Sequence, residues 1–184
     1  IYNKYNRIGQ MGMGYEIYDQ LEGKIDAWGC AVGSGATLLG VAMAFEEKGI
    51  KPLTFGVAPF GSESFVELEK PEAKKGEFKF TDMGRQLVEW MGVTKWQTEK
   101  SIVEEMMDKG YPAEFFQVSE EDARNMANIL CQEEGIYCGM SSGANVFIAL
   151  KIAERLQPGE NVVTVIVDRR DRYLGEYPND VFVV

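Results

Sequence analysis

Ile25-Asp26-Ala27-Trp28-Gly29-Cys30-Ala31-Val32-Gly33-Ser34-Gly35-Ala36-Thr37 changes character once, between Val32 and Gly33. The first eight residues form a short, largely apolar run that reads as a buried strand. The last five are small and turn-forming. A helical pattern follows from Leu38 to about Lys48, closed by Gly49 at a C′ position. Leu53-Thr54-Phe55-Gly56-Val57-Ala58 then reads as a second strand. Strand, tight turn, helix and strand make a βαβ unit, and strands joined by such a crossover run parallel.

The same alternation returns later in the chain. Phe115-Phe116-Gln117-Val118 is a short strand by pattern. Ser119-Glu120-Glu121-Asp122 resembles a capping box with Asp at the third helical position. The helix it opens places Ala123, Met126, Ala127 and Leu130 on one face and stops at Gly135. Residues 136–139 read as a strand leading into Gly139-Met140-Ser141-Ser142-Gly143. A helix from Ala144 to Leu156 follows, then a Pro158-Gly159 turn. Asn161 to Asp168 is rich in β-branched residues and predicts a central strand. Between the two halves, Glu63 to Phe80 reads as loop, with short helices at Met83–Met91 and Ser101–Lys109. The order predicts an α/β fold, a three-layer sandwich around a mostly parallel sheet, with residues 1–184 as one domain.

Composition narrows the functional classes. The 184 residues are 45% hydrophobic and 26% charged, enough for one core. A net charge of −10 disfavours nucleic-acid backbones and anionic membranes as partners. No apolar run reaches the roughly 18 residues of a membrane span, and no signal peptide is visible. Cys30, Cys131 and Cys138 cannot all pair within one chain. With no histidine and no C-x-x-C, no metal site is expected, and the cysteines read as reduced, buried thiols of a cytoplasmic protein. The opening at Ile1, with no cap or turn leading in, reads as the middle of a longer chain.

Two strand-to-helix turns carry the chemistry, because ligands of open α/β sheets bind beyond the carboxyl ends of strands. In Gly33-Ser34-Gly35-Ala36-Thr37, small residues allow close approach to an anion, and the following helix offers unpaired N–H groups. Ser34 and Thr37 add hydroxyl donors. No lysine completes a nucleotide P-loop, and Leu38 stands where a dinucleotide fingerprint needs glycine. A lone phosphate on a compact cofactor and a turn that merely packs tightly both remain open. The second turn spells G-x-S-x-G, a hydrolase nucleophile pattern. A serine nucleophile needs a base, however, and the chain has no histidine. Ser141 can instead hydrogen-bond a ring nitrogen, and Ser141 or Ser142 can cap the helix.

Together these pieces resemble the fold-type II pyridoxal-phosphate enzymes, most closely the cysteine synthase and cystathionine β-synthase group. Gly33-Ser34-Gly35-Ala36-Thr37 is similar to that family's G-T-G-G-T phosphate loop, and Gly23-Lys24-Ile25-Asp26-Ala27 to the G-K-[VI]-D-A entering its strand. Residues 133–144 resemble E-E-G-I-x-x-G-I-S-S-G-A. Asp168 with Asp171-Arg172-Tyr173-Leu174 resembles D-x-x-[ED]-R-Y-L, which points to cysteine synthase. Met13-Gly14-Tyr15-Glu16-Ile17 is a weaker echo of T-G-P-E-I. Residues 61–112 match poorly, and Ala58-Pro59 replaces the usual Glu-Pro.

The resemblance covers the back half of the family's chain. It implies pyridoxal 5'-phosphate as cofactor, with Gly33, Ser34, Gly35, Ala36 and Thr37 on its phosphate and Ser141 facing its ring nitrogen. It implies a small amino-acid substrate, a homodimer, and a missing N-terminal half that carries the Schiff-base lysine. No catalytic residue is expected in this chain, and Lys24 and Lys151 match no catalytic position. The activity implied is replacement on the β-carbon of an activated serine by sulfide, giving cysteine. Two alternatives stand beside it: a non-enzymatic α/β module binding an anion or partner, and another fold-type II lyase such as cystathionine β-synthase.

Overall fold

In a computed structural model, residues 4–59 and 102–173 are described. The loop and helix expected at 63–80 and 83–91 lie outside them, as does Leu174. Four strands form one parallel sheet in the order β3-β2-β1-β4, with β1 Ala27–Ala31, β2 Leu53–Pro59, β3 Glu114–Val118 and β4 Val162–Val163. Five α-helices are described: α1 Lys4–Gln20, α2 Ala36–Glu47, α3 Ile102–Asp108, α4 Glu120–Glu134 and α5 Met140–Ala153.

Alternation along the strands sorts these helices into two layers. Trp28 and Cys30 point to one face, where they meet Leu38, Leu39, Val41 and Phe45 of α2. The Trp28 indole donates to the Leu38 carbonyl at 3.3 Å and meets Phe45 edge-on, with ring centroids 6.2 Å apart. Ala27, Phe55 and Val57 point to the other face, against Ile148, Ala149 and Ile152 of α5. Helices thus cover both faces, as a parallel sheet requires, and the three-layer α/β fold is the one expected.

The ends of α4 follow their sequence signals. Ser119 caps α4 by accepting from the Asp122 N–H at 3.0 Å. Gly135 closes it in the left-handed conformation at φ 69°, donating its N–H to the Leu130 carbonyl. The helix expected from Leu38 begins two residues earlier, so Ala36 and Thr37 belong to its first turn.

Two strand assignments are corrected. Residues 136–139 form no strand; one isolated antiparallel bridge joins Cys138 to Arg169. The segment is held instead by Gly139 N–H donating to the Asp168 carbonyl at 2.9 Å and by the Arg170 side chain. Arg170 donates to the Cys138 carbonyl at 3.2 Å and to Asn128 of α4 at 2.6 Å. The central strand expected over 161–168 is only the two-residue β4, at the edge of the described sheet. The physical reason is that side chains take over its backbone partners beyond Val163.

Candidate functional site

The strand order fixes where a ligand crevice lies. From β1 the chain moves through α2 to β2 and on to β3, all on one side of β1, whereas β4 pairs on the other side. The connections diverge between β1 and β4. Such a switch point leaves a crevice outside the carboxyl ends of the two strands. The 33–37 turn follows β1 at this edge, and residues 164–168 follow β4.

The turn is built to leave donors unpaired. Gly35 adopts φ 81°, a left-handed conformation that a Cβ would strain, and this swings the chain into α2. The first intrahelical bond runs from Leu39 N–H to the Gly35 carbonyl at 2.9 Å. The N–H groups of Ala36, Thr37 and Leu38 therefore precede the ladder. The Ser34 hydroxyl lies 3.5 Å from the Ala36 nitrogen, at the outer limit for a hydrogen bond. Gly33 is exposed, and a Cβ built there meets no atom within 4 Å. Open space over Gly33, backbone donors and the positive end of a 12-residue helix together fit a phosphate group. Ser34 and Thr37 are half-buried, Gly35 and Ala36 buried. A groove of about 670 Å³ between α1 and residues 163–167 has Thr37 in its wall.

The second turn arrives at the same edge by a different route. The cap expected of Ser141 or Ser142 is not made: Gly139 is the N-cap, without a side-chain cap hydrogen bond, and α5 begins at Met140, four residues before the expected Ala144. Ser141 is the second residue of α5 and is half-buried. Ser142, its neighbour, is fully buried. The Ser142 hydroxyl donates to the Val167 carbonyl at 2.5 Å and accepts from the Val167 N–H at 2.8 Å. One turn further along α5, Asn145 is also fully buried. Its carboxamide oxygen accepts from the Ala31 N–H at 2.7 Å, and its nitrogen donates to the Val165 carbonyl at 2.9 Å. Ser141 and Asn145 share a helix face, and Ala31 lies two residues before Gly33. The fold thereby brings the start of α5 to the strand end that carries the 33–37 turn. Sequence reading offered Ser142 only as a helix cap and missed Asn145; the signal for both was their place within one turn of Ser141.

Two more features bear on the chemistry. Gly143, the last glycine of the G-x-S-x-G pattern, is packed against α4: a Cβ there would overlap the Ala123 carbonyl oxygen and stand 2.8 Å from the Ala127 nitrogen. The glycine serves close helix packing. Cys30 is buried beneath the turn, and desolvation pushes its thiol up to about 12. Burial also raises the Cys138 thiol, opposed by a hydrogen bond with Ser142 and by the charge of Arg170. Neither is a thiolate near neutral pH.

The described lysines are uniformly exposed: Lys4, Lys24, Lys48, Lys51, Lys109 and Lys151. Lys24, Lys48, Lys51 and Lys109 precede the strands they lead into, and Lys151 sits in the last turn of α5. That places these five at the edge opposite the crevice.

Comparison with known proteins is consistent across sequence and structure. Residues 1–168 match the family model described as pyridoxal-phosphate dependent enzyme. The chain is 29% identical over 169 residues to cystathionine beta-synthase of Mus musculus, covering 92% of this chain and 28% of that protein. It is 30% identical over 164 residues to the O-acetylserine dependent cystathionine beta-synthase of Bacillus subtilis, covering 89% and 47%. The crystal structure of a cysteine synthase from Entamoeba histolytica superposes with a TM-score of 0.70 at 26% identity, over 97% of this chain and 47% of that one. The chain spans about half, or less, of the length of these relatives. With a match running through both turns and nine-tenths of its length, this chain belongs to the pyridoxal-phosphate dependent enzyme family.

Proposed function

We propose that this chain is the cofactor-holding portion of a cysteine-synthase-like enzyme. In this reading the amides of Gly33, Ser34, Gly35, Ala36 and Thr37 hold the phosphate of pyridoxal 5'-phosphate, and Ser141 hydrogen-bonds its ring nitrogen. The observation that carries it is the 33–37 turn at the switch point, with open space over Gly33 and unpaired N–H groups at the start of α2. Bound pyridoxal phosphate supplies an electron sink for chemistry at the β-carbon of an amino acid. The α2 N-terminus stabilises the phosphate's charge, and the Ser34 and Thr37 hydroxyls can donate to it. Ser141 offers the ring a neutral hydroxyl, which does not hold a proton on nitrogen as a carboxylate would.

The covalent attachment to the cofactor is assigned to a lysine outside this chain. The exposure of the six described lysines, and the position of five of them at the far edge, support that assignment. The reaction proposed breaks the bond from the serine β-carbon to its acetate or phosphate and forms a carbon–sulfur bond to sulfide. The cystathionine β-synthases among the relatives support a second reading, with homocysteine in place of sulfide. The test supplies the full-length protein carrying this chain with pyridoxal phosphate and O-acetylserine or O-phosphoserine, offering sulfide and homocysteine in separate reactions. Cysteine formed faster than cystathionine supports the first reading, and the reverse supports the second. Cofactor-loaded protein that makes neither product overturns both.

A further inference from the structure

Asn145 occupies the place of a missing ladder bond. The β1–β4 register pairs Ala27 with Val162 and Trp28 with Val163, and Ala27 N–H donates to the Asn161 carbonyl, one residue before its partner. Continued along both strands, that pattern would have Ala31 N–H donate directly to the Val165 carbonyl. Instead the Asn145 carboxamide stands between the two, accepting from Ala31 at 2.7 Å and donating to Val165 at 2.9 Å. It reproduces the donor and acceptor of a peptide group while holding the strands apart by its own width. Below it, the Gly29 carbonyl accepts from the Thr164 hydroxyl at 2.8 Å. Above it, Ser142 takes both the N–H and the carbonyl of Val167.

Three side chains thus replace the ladder here: Thr164 reaches across from its own strand to Gly29, Ser142 holds Val167, and Asn145 enters from α5 and bonds the backbone of both strands. A fully buried amide with both hydrogen-bonding ends satisfied is costly to disturb, because its removal strands two backbone groups. From this geometry we propose that Asn145 is a positioning residue that sets the width of the crevice between β1 and β4, and through Ala31 the placement of the 33–37 turn relative to α5. The assignment of a ligand to the crevice rests on the functional reading above; the strand separation does not.

The test uses the full-length protein with Asn145→Ala and Thr164→Val, comparing crystal structures, melting temperatures and pyridoxal 5'-phosphate affinity by fluorescence titration well below melting. In N145A the Ala31 nitrogen and Val165 carbonyl are expected to close to a direct hydrogen bond, and the cofactor affinity to fall at least tenfold. T164V, which keeps the side-chain shape, is expected to weaken binding about threefold; should N145A not fold, Asn145→Asp, which keeps the acceptor for Ala31 and loses the donor to Val165, takes its place with the same expected loss of affinity. A crevice that stays at its present width in N145A, or affinities within 1.5-fold of the parent in the variants that fold, would overturn the proposal. A residue serving stability alone would lower melting and leave affinity untouched. If the parent protein binds no pyridoxal phosphate, the functional reading fails, while closure or persistence of the gap still decides the role of Asn145.

Discussion

Replacing Gly143 with alanine adds one methyl group where the structure has no room. Its Cβ would overlap the Ala123 carbonyl oxygen and stand 2.8 Å from the Ala127 nitrogen and 3.0 Å from the Ala127 Cβ. Two of these three obstacles are the backbone of α4, which cannot swing aside as a side chain can. Overpacking of a tight core typically costs about 1–3 kcal/mol, and a backbone obstacle places G143A at the upper end, about 3 kcal/mol. In a chain of this size each kcal/mol lowers the melting temperature by about 2–4 °C, so a fall of about 6–12 °C is expected. Gly33→Ala is the control. Its added Cβ meets nothing within 4 Å, so stability should change by less than about 0.5 kcal/mol. The same methyl enters the space assigned to the phosphate, and affinity for pyridoxal phosphate should fall tenfold or more, about 1.4 kcal/mol. Thermal melting followed by circular dichroism, with cofactor titration of each variant, reads both quantities. G143A melting within 2 °C of the parent would show that α4 and α5 are not in this contact. G33A binding as tightly as the parent would move the anion off the turn.

Other perturbations test separate parts of the account. Ser141→Ala should weaken pyridoxal phosphate binding by no more than about 1–2 kcal/mol, the size of one hydrogen bond, and a fluorophosphonate probe should leave Ser141 unlabelled; stoichiometric labelling would make it a nucleophile. Borohydride reduction of the cofactor-loaded full-length protein should place the label on a lysine outside these 184 residues, which peptide mapping checks directly. A thiol reagent should modify half-buried Cys131 first, and buried Cys30, with its thiol pushed up to about 12, only after unfolding. Arg155 holds the Glu114 carboxyl below its ordinary value through two hydrogen bonds of 2.7 Å. A lowered carboxyl pKa stabilises the fold above the unfolded value and loses that stabilisation as pH falls through the folded one. Both side chains are at least a third exposed, so Arg155→Ala should cost under about 1 kcal/mol near neutral pH. In urea titrations that difference should begin to shrink as pH falls past the ordinary glutamate value of about 4.3 and vanish only below the lowered folded one.

What the sequence made legible was local. The β1–α2–β2 unit announced itself because one apolar run meets one glycine-rich turn, and Gly49 ends the helix where the pattern ends. Helix α4 was readable from Ser119 and Gly135, the residues that cap it in the fold. Helix α1 was not, because Gly9, Gly12 and Gly14 depress its intrinsic helicity. Its support is tertiary: Gly14 lies tightly against Val41 and Ala44 of α2. The run 161–168 has strand composition, yet what ends its pairing is Asn145, distant in sequence and invisible to any local pattern. The candidate site divides the same way. The 33–37 turn was legible as an anion cradle, whereas nothing in Ser141-Ser142 tells which serine is buried against Val167.

The central claim is that the amides of residues 33–37 hold the cofactor's phosphate. A crystal structure of the full-length protein with pyridoxal 5'-phosphate tests it most directly. Phosphate oxygens are expected within hydrogen-bonding distance, about 2.7–3.2 Å, of backbone nitrogens in the Gly33–Thr37 turn, with the ring in the crevice between β1 and β4. Phosphate density anywhere else, with that turn free of it, would contradict the account.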